Sequence, residues 1–94
     1  MIDVKQTGRS DPLEFDVTIG GSGRRTRHHV GMSEADYRRL ANGACTPERC
    51  IEAAFRFLLD REPKEAILSR FDVSVIARYF PEFEAKLPRY IAAL

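Results

Sequence analysis

The chain has 94 residues, 44% of them hydrophobic and 31% charged, a size and balance that specify one folded domain and exclude two. Burying roughly 60 to 65% of the unfolded surface uses most of the apolar side chains of so short a chain, which argues against a deep, enclosed active site. Lys and Arg total 15 against 14 Asp and Glu, a net charge of +1, which excludes attachment to nucleic acid through a global basic excess. The N-terminal stretch MIDVKQTGRSDP is polar from its third residue, no apolar run approaches the length of a membrane-spanning helix, and two cysteines make no disulfide scaffold. These features predict a cytoplasmic protein without a membrane partner, and the preference for Arg over Lys, with frequent Ala, matches GC-rich bacterial coding.

Ile2-Asp3-Val4-Lys5 reads as a short first strand, followed by the turn-rich Gly8 to Pro12. Leu13 to Ile19 alternates apolar and polar at every step, which predicts a half-buried strand with Leu13, Phe15, Val17 and Ile19 inward. Gly20-Gly21-Ser22-Gly23 suits a hairpin turn, with Arg24 to Val30 as the returning strand. That strand would place Thr26, His28, Val30 and Met32 on one face and Arg25, Arg27 and His29 on the other.

From Met32 the pattern becomes helical. Ser33 to Asp36 resembles a capping box, Met32 and Tyr37 occupy staple positions, and Asn42-Gly43 supplies a stop. Thr46-Pro47-Glu48 opens a second helix, whose Ile51, Ala54, Phe55, Leu58 and Leu59 follow the helical repeat, widened by Cys50, Ala53 and Phe57. Pro63 ends it. Residues 73–76 admit a β-branched strand, but Asp72 as a cap favours a helix with Val75, Ile76, Tyr79 and Phe80 buried. Pro81 and Pro88 are expected to split the remainder into two short helical pieces, docked through Phe83, Leu87, Tyr90, Ile91 and Leu94.

The fold expected is therefore α+β: an N-terminal antiparallel β-hairpin or small three-stranded sheet packed on three to five short helices, with residues 1–31 mainly β and 32–94 mainly α. Few residues suggest chemistry. His28 and His29 are adjacent on a strand and point to opposite faces, and the Cys45-x4-Cys50 spacing runs from a loop into a helix, so no metal or other cofactor is expected. A place near the positive end of the second helix can lower the pKa of a Cys45 thiol, but no base accompanies it, and Cys45 is expected to be an ordinary small side chain and Cys50 simply to pack. The glycine loop joins strand to strand and is a hairpin tip rather than a phosphate cradle. No catalytic residue is assigned, and a non-enzymatic role is preferred.

Two further features point to binding. Strand, helix, turn and helix over Arg27 to Asp60 resemble the order of the ribbon-helix-helix DNA-binding proteins. The resemblance implies a homodimer whose ribbon reads the major groove, with Arg24, Arg25, Arg27 and His29 as the DNA-facing side chains and Thr46 with its neighbouring amides on a phosphate. In this chain, however, Leu13–Ile19 already offers the strand an intrachain partner. Separately, Cys50 to Glu65 and Arg70 to Glu84 resemble a family of short bacterial proteins of unassigned activity, which implies a small stand-alone protein. Tyr79, Phe80 and Phe83 flank Pro81, either sealing the core or forming an aromatic patch for a partner protein. The function expected is a protein-interaction module using that patch; the alternative is a DNA-binding regulator using the basic strand face.

Overall fold

In the computed structural model, which describes residues 1–21 and 23–94, the alternating segment forms strand β2 (Leu13–Ile19) with its four apolar side chains buried. It pairs antiparallel with β1 (Ile2–Gly8) on one side and β3 (Thr26–Met32) on the other. β1 runs three residues beyond the expected Lys5, through a register irregularity between Gln6 and Gly8. The expected Ser22 of the glycine turn lies outside the described residues.

Two capped helices follow. Helix α1 (Glu34–Ala41) begins where the Ser33 hydroxyl accepts the Asp36 amide at 3.0 Å. Of the expected capping box this is the bond that forms: the Asp36 carboxylate turns to Arg39, and a further first-turn amide, that of Glu34, is received by Asp11 from the turn between β1 and β2. Asn42 ends α1 in the left-handed conformation, with Gly43 (φ 78°) continuing it. The Tyr37 hydroxyl then donates to the Cys45 carbonyl at 2.6 Å, closing the turn. Helix α2 (Pro47–Leu59) starts with Thr46 accepting the Arg49 amide and Pro47 in the first turn, where its missing N–H costs nothing.

The chain returns through a 3-10 turn (Lys64–Ala66) to a fourth strand, β4 (Arg70–Asp72), parallel to β3. The sheet order is β1-β2-β3-β4. The expected N-terminal antiparallel hairpin or three-stranded sheet is thus present as β1–β3, and a fourth strand is added from the mainly helical half. Asp72 caps a 3-10 turn (Val73–Val75) by accepting the Ser74 amide, and helix α3 (Ile76–Tyr79) follows, so residues 73–76 are helical.

Helix α4 (Phe83–Ala92) passes through Pro88. The expected division at Pro88 does not occur. Its ring is exposed, while Phe83 and Leu87, one turn apart, are anchored in the core. Anchoring on both residues holds the helix despite the amide that Pro88 cannot donate to Glu84.

α2 lies between the sheet and α4. Phe55 faces the sheet side, 5.5 Å from the His28 ring and 5.9 Å from Phe71. Phe57 faces α4, edge-on to Phe83 (5.0 Å), Tyr90 (5.7 Å) and Phe80 (5.9 Å), with the Arg61 guanidinium 3.6 Å from its ring centre. Each fully buried aromatic ring contributes on the order of 2–3 kcal/mol from burial alone. Arg61 also donates to the Phe57 carbonyl and the Tyr90 hydroxyl, and Tyr90 donates to Asp60 at 2.6 Å. That network joins the end of α2 to α4. Replacing the exposed Pro88 by Ala restores an amide donor without touching the core, so Pro88→Ala should raise the unfolding free energy by about 1–3 kcal/mol in urea titrations.

Candidate functional site

The sheet turns one face to α2 and leaves the other open. β3 begins at Thr26, so Arg24 and Arg25 lie in the exposed turn before it, not on its face as expected for Arg25. Arg27 is exposed opposite Thr18 on β2. His29 stands between two carboxylates of β2, with Nδ1 3.0 Å from Asp16 and Nε2 2.7 Å from Glu14. The open face therefore carries Asp3, Glu14, Asp16 and Asp72 among Lys5, Arg27, His29 and Arg70. It is a mixed-charge surface rather than a basic one. Both edges of β3 are used, by β2 and by β4. Thr46 remains the cap of α2, with its hydroxyl engaged by the Arg49 amide.

The three aromatics near Pro81 separate. Phe83 is 1% exposed under Phe57 and is unavailable to a partner, Phe80 is half-buried, and Tyr79, expected on the buried side of its helix, is 69% exposed. Tyr79 and Phe80 border an open groove of about 260 Å³ whose wall includes Leu58, Ile67, Leu68, Phe71 and Ile76. Leu68 is 50% exposed. Glu62 is the groove's one charged residue, and among the described residues it has no ion-pair partner. Sequence reasoning found the aromatic end of this groove but missed its Leu68–Phe71 wall.

That wall is set by β3. His28 is buried, with Nδ1 2.7 Å from the Leu68 carbonyl and Nε2 3.0 Å from the Thr26 hydroxyl. A neutral ring donating from Nδ1 and accepting at Nε2 satisfies both contacts. The His29 amide donates to the Ser69 carbonyl at 2.8 Å. Together these bonds hold residues 68–72 beside β3 and position Leu68 at the groove. His28 thus acts as a structural tie, and among the described residues no group of three or more His, Cys, Asp or Glu side chains is arranged to hold a metal ion.

Burial governs both cysteines, Cys50 fully and Cys45 in part. Burial pushes Cys50 up to about 12 and also raises Cys45, so both thiols stay protonated near neutrality. Cys45 borders a second, shallow depression with Ala44, Thr46, Arg49, Ile91 and Leu94. No helix among the described residues is long and apolar enough to cross a membrane. No known protein family, curated protein or solved structure matches the chain.

The two carboxylates raise the His29 pKa above its ordinary 6.5, through the hydrogen bond His29 donates to Asp16 first and the one it donates to Glu14 second, with burial and Arg70 opposing. Because the folded value exceeds the unfolded one, the contribution to stability is fully present below pH about 6.5 and is lost as pH rises through the folded pKa. NMR titration should give a His29 midpoint above 6.5, and Asp16→Asn should move it down. The accompanying change in stability should stay under about 1 kcal/mol, because the pair is solvent-screened.

Proposed function

We propose that the protein is a non-enzymatic protein-interaction module that receives a partner's apolar side chains in the groove between Leu58, Leu68 and Tyr79. The observation that carries this reading is the exposure of both Leu68 and Tyr79 in the lining of one largely apolar groove. Apart from Met1, these are the large hydrophobic side chains most exposed among the described residues. Exposed apolar groups gathered around a concave surface mark a contact site more strongly than the same groups scattered. Glu62 supports a partner segment that carries Lys or Arg beside its apolar residues, since an unpaired carboxylate in an apolar wall favours a cation there. The groove offers a carboxylate and a phenol but no nucleophile with a base beside it, which supports binding over catalysis.

Leu68→Ser and Tyr79→Ala alter exposed side chains, so each should leave stability within about 0.5 kcal/mol. In quantitative affinity capture, the wild type should retain a partner that both variants lose, and Glu62→Lys should lose it as well. Retention of the same proteins by all three variants would count against the groove.

The DNA-binding reading draws on the exposed Arg24, Arg25 and Arg27 at one end of the β2–β3 hairpin. It has less support, since β3 has no edge open for an intermolecular ribbon and His29 is compensated by Asp16 and Glu14. If those arginines neutralise phosphates, duplex DNA affinity will fall linearly on a log–log plot against salt, and replacing all three by Gln will flatten the slope by about three. A salt-independent signal would exclude that role.

A further inference from the structure

We propose that a second copy of this chain pairs with the outer edge of β1, joining two four-stranded sheets across a two-fold axis. β1 is an end strand of the sheet. Which of its amides face outward follows from two hydrogen bonds. The Gly20 amide donates to the Met1 carbonyl, and with a register of Ile2 opposite Ile19 this makes Met1, Asp3 and Lys5 the residues bonded to β2. The backbone groups of Ile2, Val4 and Gln6 therefore point away from the sheet. The Gln6 amide bears this out by donating outward to the Glu48 carboxylate at 3.0 Å.

An antiparallel mate can align with this edge in few registers, and charge selects among them. With Val4 opposite Val4 of the second copy, Asp3 stands opposite Lys5 and Lys5 opposite Asp3. Both side chains are exposed on the open face of the sheet, and among the described residues neither has an ion-pair partner within its own chain. The geometry favours their contact, because outward-bonded Ile2, Val4 and Gln6 make the intervening Asp3 and Lys5 a non-hydrogen-bonded pair, where side chains approach most closely. A slip of two residues one way opposes Asp3 to Asp3, and the other way Lys5 to Lys5. Like charges directly opposite are destabilising, so the same two residues favour one register and disfavour its neighbours. The contact is isologous and closes as a dimer.

Glu48 is the chain's own competitor for this edge. Its carboxylate occupies the Gln6 amide and must leave before Gln6 can donate to Ile2 of the second copy. This makes the association weak and reversible.

Sedimentation velocity from about 10 µM to about 1 mM, the range of weak interfaces, tests the assignment. The wild type should dimerise reversibly within it. Asp3→Lys and Lys5→Asp, each verified as folded by circular dichroism, should weaken dimerisation at least about fivefold, because each opposes like charges twice. Mixed in equal amounts, the two variants should recover a mixed dimer, identified by its mass in native mass spectrometry, since each chain then meets the opposite charge. Glu48→Ala should strengthen the wild-type dimer. A monomer throughout the range, unaltered dimerisation of the single variants, no gain on mixing, or no strengthening by Glu48→Ala would overturn the proposal.

Discussion

The structure depends on burying helix α2 from two directions at once. Cys50, Ile51, Ala53, Ala54, Phe55, Phe57 and Leu58 are all buried, far more of the circumference than a surface helix covers. A helix with so wide an apolar stripe is stable only if separate layers cover its sides. The sheet meets Phe55 on one side, and α4 meets Phe57 on the other. Much of the remaining architecture serves that arrangement. The caps and turn between α1 and α2 lead the chain into the helix, and the Arg61–Tyr90–Asp60 network ties the distal end of α2 to α4.

The same constraint explains where apolar surface is left exposed. Sheet and helices enclose α2, but the elements that follow its C-terminus, back to β3 and on through α3, are short. β4 contributes three residues, and α3 a single turn. Their side chains wall the groove without filling it, so Leu68 and Tyr79 remain exposed while Ile67, Val73 and Ile76 are buried. His28 links this surface to the interior: one ring holds the Leu68 carbonyl and packs against Phe55. The groove wall and the sheet side of the core are thus joined by one buried polar side chain whose two nitrogens both have partners.

The open sheet face shows how charge counted along a segment differs from charge in space. Arg24, Arg25, Arg27 and His29 form the most basic cluster in sequence, yet Glu14 and Asp16 on the neighbouring strand stand against His29. The register that opposes Asp16 to His29 comes from burial on the other face, where Phe15 and Val17 meet Val30 and His28. Core packing therefore sets the electrostatics of the exposed surface, because a strand cannot shift its apolar residues without shifting its charged ones.

Local order was legible wherever a short-range pattern had one physical meaning. The alternation of Leu13 to Ile19, the caps at Ser33 and Thr46, the stop at Asn42-Gly43 and the wide stripe of α2 each follow from sterics, orphan amides or amphipathicity within a few residues. The α+β class followed from their sum. Tertiary contacts decided what those patterns leave open. Arg70-Phe71-Asp72 is too short to show a period, and it became a strand because the end of α2 returns the chain to β3. Pro88 reads as a helix breaker in isolation, but Phe83 packs on Phe57 of α2, Leu87 is buried in the core, and together they carry the helix through it. Tyr79, Phe80 and Phe83 are nearly adjacent in sequence, and only tertiary packing buries Phe83 under Phe57, leaves Phe80 between Phe57 and the groove, and exposes Tyr79. The sequence by itself determined which segments are strands or helices over most of the chain and which faces need cover. The tertiary structure decided which segments supply that cover, and hence which apolar and charged groups remain exposed, because those partners meet across sequence distances that no local repeat records.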